Sequence, residues 1–243
     1  MIDIHCHILP DFDDGSSSLE ESLMMARMAV DSGVTAIVST PHFPGRASAL
    51  RRVEDLYGKY QLLRDALSRE HIDLKLLPGA EILCLPETPG LARKKALPTI
   101  GNTDYFLVEF YFNESAGYMN QMLHDLAECG YKPVVAHPER YKAVQQDPAL
   151  VDYWFSTGYV MQLNKGSLLG SFGPWVQAAA DGIIHRGLAH VIASDAHGTS
   201  MRTPHMAGLA HWLRGHCNPE YAEILTRLNP QRILENQDMV PVR

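Results

Sequence analysis

The chain is predicted to fold as a parallel α/β barrel, irregular and seven-stranded, a (β/α)7 architecture in a single domain over residues 1–243. Two patterns lead there. Short apolar runs alternate with helical patterns about seven times along the chain, and nearly every apolar run ends in a histidine or a carboxylate. An open doubly wound sheet gathers its ligand near one crevice, whereas side chains arriving from all strand ends meet at the C-terminal mouth of a barrel.

Ile2 to His7 reads as the first strand. Alternation places Ile2, Ile4 and Cys6 on one face and Asp3, His5 and His7 on the other. His5 and His7 then point the same way, about 7 Å apart along the backbone, as two arms of one metal site would. Alone, such a pair also fits an edge strand with two ordinary histidines; the later strand ends decide for the site.

Residues 10–15 form a turn-rich loop, and Ser18 with Glu21 three residues on makes a capping box. It opens a helix with Leu19, Leu23, Ala26 and Val30 at helical spacing, stopped by Gly33. Met24, Met25 and Met28 on this helix read as core filling. Val34 to Val38 is a buried strand delivering Thr40-Pro41-His42. A polar helix over 49–70 leads to a strand at 74–77 and then to Gly79-Ala80-Glu81, where a carboxylate takes the place of the histidine. After a short helix within 86–96, Tyr105 to Phe110 is the next strand. Glu109 interrupts it, at a cost unless it is paired or bound to metal. A helix over 117–129 ends at Gly130, and Pro133 to Ala136 runs into His137-Pro138-Glu139-Arg140. A helix over 148–156, a strand at 159–164 and a helix at 175–186 follow; His190 to Ala193 then delivers Ser194-Asp195-Ala196-His197. Helical segments at 204–213, 219–228 and 230–236 pack around the outside.

The totals exclude several classes. With 28 acidic against 21 basic residues the net charge is −7, so a broad attraction to nucleic acid or to an anionic membrane is not expected, and a bound anion needs a local site. No apolar run is long enough to span a membrane. The N-terminus starts on a strand and not on a basic region followed by an apolar one, so no secretory signal is expected. Four scattered cysteines, at 6, 84, 129 and 217, form no C-x-x-C pair and suggest reduced thiols in the cytoplasm.

Collected at the strand ends are His5, His7, His42, His137 and His197 with Glu81, Glu109 and Asp195. Mixed imidazole and carboxylate donors suit manganese, iron or zinc, and without a thiolate cluster a structural zinc site is not expected. Eight donors exceed what one ion needs, so bridging carboxylates point to two or three divalent ions. Three ions bring roughly +6 against about −3 from the carboxylates; a hydroxide and a phosphate dianion supply roughly the remainder, which fits a phosphomonoester better than a neutral amide.

Together, His5-Cys6-His7, Thr40-Pro41-His42, Gly79-Ala80-Glu81, Glu109, His137-Pro138-Glu139-Arg140 and Ser194-Asp195-Ala196-His197 resemble the PHP (polymerase and histidinol phosphatase) superfamily. Within it, H-C-H-I-L-P followed by D-D-G, and H-P-E-R-Y, are most similar to the bacterial capsule-type metal-dependent protein tyrosine phosphatases. The likeness covers nearly the whole chain with its motifs in order. It implies a trinuclear site, often manganese, with the eight residues above as ligands and Glu81 as a bridge. It also implies that Arg140 and Arg202 clamp the phosphate, and that the substrate is the tyrosine-rich tail of a bacterial kinase regulating polysaccharide export, in the cytoplasm. The chemistry is sound independently: a hydroxide available at neutral pH attacks phosphorus in line, and guanidinium forks match phosphate geometry. The cysteine-dependent alternative needs a C-x5-R loop. The residues six beyond the cysteines are Phe12, Gly90, Val135 and Glu223, none of them arginine.

Other residues take blander roles. His190 is expected to be a packed imidazole, and His71, His124, His185, His211 and His216 surface residues; His205 follows Arg202 in a loop near the mouth. Asp13 and Asp14 fit a solvated turn or a place beside the site. Asp3 is expected to hydrogen-bond a ligand histidine, and Cys6 to pack against the outer helices. Among Tyr105, Phe110, Tyr111 and Phe112 some are core and one or two line a groove for an aromatic substrate; Arg140 has a salt bridge to Glu139 as its alternative role. A small-molecule phosphatase acting, for example, on histidinol phosphate is the competing enzyme. Nuclease-like editing is disfavoured by the acidic charge, and a binding module without turnover by the full ligand set. A monomer or a homo-oligomer is left open.

Overall fold

The computed structural model describes residues 1–242. Among the described residues nine strands make seven staves: β1 (Ile2–Cys6), β2 (Ala36–Ser39) continued by β3 (His42–Pro44), β4 (Lys75–Pro78) continued by β5 (Glu81–Leu83), β6 (Tyr105–Glu109), β7 (Lys132–Ala136), β8 (Val160–Asn164) and β9 (Val191–Ala193). All pairings are parallel, in the orders β1-β2-β4 and β3-β5-β6-β7-β8-β9. The ring closes between the first and last staves through a Cys6–Ala196 bridge, the His7 N–H on the Ala196 carbonyl at 2.9 Å and the Asp195 N–H on the His5 carbonyl at 2.8 Å.

The second and third staves break at the same level, at Thr40-Pro41 and Gly79-Ala80. Pro41 has no N–H for the ladder. Gly79 lies so close to the neighbouring stave that a Cβ there would meet Val38 Cγ1 at 2.7 Å. Above the break the ladder resumes with His42 opposite Glu81, so the interruption sets both side chains side by side at the mouth.

Two apolar cores follow from strand alternation. Inside the barrel, Ile4, Val38, Leu107, Val134, Val160 and Val191 pack together, and Ile233 of the C-terminal helix Asn229–Leu234 joins them. Outside, Ile37, Phe106, Val135 and Ile192 meet helix residues such as Met25, Leu56, Leu123 and Trp154. Each such side chain, fully buried, contributes about 1.5–3 kcal/mol.

The expected elements are present within a few residues, with three corrections. The helix Leu19–Asp31 starts at Ser18, whose side chain accepts the Glu21 N–H at 3.1 Å; the Glu21 carboxylate, however, accepts from Ser17 N–H and Oγ, so the return bond of the capping box is shifted by one residue. Met24 is half exposed, because the buried stripe of this helix runs through Ser22, Met25, Ala26 and Ala29. The single polar face of β1 does not survive. Ile2 and Ile4 belong to the interior core and Cys6 to the outer one, since the register against β2 slips between Asp3 and Cys6. This bulge turns the later part of the strand and aims His5 and His7 into the mouth. Asp3 is thereby separated from them: its Oδ1 accepts the backbone N–H groups of Ser194 at 3.0 Å and His5 at 3.3 Å, and no imidazole.

Candidate metal centre

Three groups of donor atoms, each within 4.8 Å of one another, lie at the C-terminal mouth: His5, His7, Glu81 and Asp195; His42, Glu81 and Glu109; and His7, Asp14, His42 and His197. Glu81 joins the first two groups. Its Oε2 stands 3.2 Å from His5 Nε2, 3.2 Å from His7 Nε2 and 3.1 Å from His42 Nδ1, yet it is buried without a hydrogen-bond partner. Its Oε1 meets His137 Nε2 at 2.8 Å. Two of these ligand positions rest on unusual backbone: His137 (φ 36°) and Asp195 (φ 50°) are left-handed, a conformation costing of order 1–3 kcal/mol that turns each side chain inward just past its strand.

Hydrogen bonds behind the rings set the tautomers. His7 Nδ1 lies 2.7 Å from Asp13 Oδ2, an oxygen that also accepts the His42 N–H. Gly15 makes this possible, because a Cβ there would meet the His7 carbonyl at 2.2 Å. His5 Nδ1 lies 2.7 Å from Gln162 Oε1, whose amide nitrogen donates to Leu163 O and Asn164 Oδ1. With Nδ1 so bonded, each ring in its neutral form turns an Nε2 lone pair inward, 3.2 Å apart. Two facing lone pairs beside an orphaned carboxylate oxygen repel unless a cation lies between them, so the residues fit divalent ions.

Electrostatics of the protein alone carry the same mark. Burial works against charge, yet bonds to Glu109 and Glu81 raise His42 to about 10. His7 is raised by Asp13, Asp195 and Glu81 despite its burial. Burial also opposes the Glu81 and Asp13 carboxylates, but the surrounding imidazoles hold Glu81 well below the usual range and His7 brings Asp13 down to about 2. His197 is lowered to about 3 by burial and by His7 nearby. A metal ion held by these residues would take the place of the shared protons.

On the Asp195 side stand two arginines. Arg140 Nη1 lies 3.3 Å from Asp195 Oδ2, and its guanidinium carbon lies over the rings of Phe112 and Phe172 at 4.4 and 4.5 Å. Arg202 Nη2 pairs with the same oxygen, to which Asn164 also donates. The alternative Arg140–Glu139 salt bridge is not formed; Glu139 is buried and accepts the Asn164 N–H at 2.9 Å.

Seven of the eight expected ligands fall into the three groups; His137 reaches them through Glu81. Reasoning from sequence left Asp13 and Asp14 undecided and did not single out Gln162 and Asn164. Asp13 is buried behind His7, while Asp14 is largely exposed, 3.6 Å from both His42 and His197. Gln162 and Asn164 were findable: with Val160 they are alternate residues of one strand, and polar residues at its last two inward positions are out of keeping with a core strand. His190 is a packed imidazole, stacked on Phe155 and accepting the Met161 N–H; His71, His124, His185, His205, His211 and His216 are exposed. Tyr105 and Phe110 are core, whereas Tyr111 and Phe112 are exposed beside the mouth.

A closed ring of parallel staves with imidazoles and carboxylates converging at its C-terminal mouth defines an irregular α/β barrel whose mouth could hold metal ions. A family model, capsular polysaccharide synthesis, CpsB/CapC, matches residues 1–235, and the chain belongs to that family. It is 36% identical over 242 residues to the tyrosine-protein phosphatase YwqE of Bacillus subtilis, covering 98% of this chain and 92% of the relative. Among solved structures it superposes with TM-score 0.89 and 33% identity on a chain from the metal-dependent tyrosine phosphatases YwqE of B. subtilis and CpsB of Streptococcus pneumoniae, covering 99% of this chain and 96% of that one. A histidinol phosphatase from Listeria monocytogenes, at TM-score 0.50, 12% identity and coverage of 82% of this chain and 96% of that one, shares the fold.

Proposed function

We propose that the chain, as one catalytic unit over 1–243, is a metal-dependent protein tyrosine phosphatase with His5, His7, His42, Glu81, Glu109, His137, Asp195 and His197 as its metal ligands and Asp14 beside them. The observation that carries this is Glu81 Oε2, a buried carboxylate oxygen without a hydrogen bond that faces imidazoles from two different staves. Divalent ions held by these residues, manganese by preference, would supply a hydroxide at neutral pH and would offset the charge of a phosphate dianion. Arg140 and Arg202 bind the non-bridging oxygens, with the phenyl faces of Phe112 and Phe172 holding the Arg140 fork in plane. Asp13 and Gln162 keep His7 and His5 in the metal-binding tautomer.

An aromatic ester is favoured by a cavity of about 260 Å³ whose walls include Pro44, Leu83, Tyr111 and Phe112 together with His42 and Glu109. It shares two walls with the metal donors and one, Phe112, with the rings beside the Arg140 guanidinium, so a phosphate at the mouth brings its phenyl ring to this cavity. The family's tie to capsular polysaccharide synthesis supports the tail of a tyrosine kinase as substrate, and four unpaired cysteines are in keeping with a cytoplasmic setting.

The test is hydrolysis of a phosphotyrosine peptide and of histidinol phosphate by metal-stripped protein refilled with manganese, iron or zinc, beside Glu81→Ala and Arg140→Ala. Manganese-dependent peptide hydrolysis that collapses in both variants is expected. Refilled protein that carries metal and turns over histidinol phosphate but not the peptide overturns the reading.

A further inference from the structure

Lys165 is a buried cation that no step so far uses. It opens a short helix, Lys165–Leu168, directly after β8, and only 8% of the residue is exposed. Its ammonium donates to two backbone carbonyls, Thr203 O and His205 O, the latter at 3.1 Å. Both belong to the loop after β9, and Thr203 is the neighbour of Arg202. That loop has other fastenings: Thr199 Oγ1 reaches the Glu21 carboxylate at 3.4 Å, and Arg202 pairs with Asp195. The His197 N–H holds the Arg202 carbonyl at 2.8 Å, and the Met206 N–H reaches Ser32 Oγ at 2.9 Å. Between these points the loop is held to the barrel by the lysine.

A surface loop needs no ammonium to satisfy its carbonyls, because water does so. Burying a charge costs free energy unless its hydrogen bonds are made, so a lysine spent on two carbonyls of one loop marks a loop whose position matters. Burial lowers the pKa of the Lys165 ammonium, and Asp3, fully buried on the first stave, acts in the opposite direction.

We infer that Lys165 is a positioning residue for phosphate binding: it straps the loop 197–206 to the end of β8 and so holds the Arg202 guanidinium at the metal centre beside Asp195. The inference rests on the assignment of Arg202 to phosphate. Lys165 acts through the backbone and touches no substrate.

The experiment is a double-mutant cycle on metal-loaded enzyme, with inorganic phosphate as the probe and its inhibition constant as the readout. Lys165→Met keeps the length and removes the charge. It is expected to raise the phosphate inhibition constant about ten-fold, with KM for phosphotyrosine peptide rising alongside and kcat changing less, as for loss of one charged hydrogen-bonding group. In an Arg202→Ala background the same substitution is expected to add nothing, because the strap then positions no guanidinium. Should Lys165→Met fail to fold, Lys165→Gln, which keeps a donor, is used in the same cycle with a smaller rise expected. A lysine variant with unchanged phosphate inhibition, or a penalty of the same size with and without Arg202, overturns the inference alone. An unchanged constant in Arg202→Ala overturns the clamp and the inference together, while loss of activity on phosphotyrosine peptide with phosphate inhibition intact on another phosphomonoester points to the substrate reading.

Discussion

Histidines at the start of β9 and at the ends of the first two staves have opposite fates. At the start of β9, His190 stacks on Phe155 with ring centroids 4.7 Å apart, accepts one backbone N–H, and is lowered to about 4 by burial. At the ends of the first two staves burial acts on His5, His7 and His42 as well, but Glu81, Glu109, Asp195 and Asp13 raise all three, while His197 past β9 is lowered to about 3 by burial and by His7. An imidazole surrounded by carbon is complete with a single hydrogen bond, whereas imidazoles crowded among carboxylates leave lone pairs and anionic oxygens facing one another. Burial is common to both sites, so the neighbours make the difference. Among the described residues, only the mouth brings together donors that could hold a divalent ion.

Breaking the mouth at its shared oxygen has the largest expected effect. Metal ions supply several kcal/mol of transition-state stabilisation, and each 1.36 kcal/mol is tenfold, so Glu81→Ala should lower phosphotyrosine turnover on the order of a thousand-fold and release metal. Turnover and elemental analysis measured together check it; a variant that keeps both its metal and its rate contradicts a role of Glu81 in holding metal. Next comes the support behind the ring. Asp13→Asn leaves the donors in place but frees His7 to change tautomer, and metal affinity should fall about 10–100-fold by calorimetric titration with the far-ultraviolet dichroism unchanged.

The opposite end is tested by pH. His190 is neutral in the fold with its pKa lowered to about 4, so the unfolded chain takes up the proton first. Its contribution to stability is full above about pH 6.5 and is lost as pH falls towards 4, amounting to about 2 kcal/mol between about pH 7.5 and 5. His190→Asn, whose Oδ1 can accept the Met161 N–H, should lack that share of the acid sensitivity, and superimposable curves of stability against pH for the two proteins would count against it. In metal-free protein His42 acts in the opposite sense: raised to about 10, its contribution is full below about pH 6.5 and is lost as pH rises through the folded value. The smallest effect belongs to a site outside both regions. Met24→Lys on the half-exposed face of the first helix should change stability by no more than about 0.5 kcal/mol in urea unfolding.

Much of this contrast is legible in the chain. Strand after strand ends in His42, Glu81, Glu109, His137 or Asp195, and a residue at a strand exit can be placed at the mouth by alternation and chain direction alone. His190 reads as a packing group because it precedes its apolar strand instead of following it. The roles of Asp13, Gln162 and Lys165 are another matter. Each acts through one hydrogen bond or pair of bonds to a partner whose position depends on the closed ring, and no local spacing announces that partner.

By itself, then, the sequence determined the alternation of strand and helix, the donor chemistry at the strand ends and the absence of a C-x5-R loop, since these depend on residue type and on contacts a few positions apart. The tertiary structure alone decided that the polar face of β1 divides between Asp3 and His5, that two staves break to set His42 against Glu81, and that His137 and Asp195 turn inward through left-handed backbone. The physical reason is closure. A bulge, a broken strand and a strained dihedral each cost free energy locally, and they persist because hydrogen bonds and packing between distant staves over-determine them.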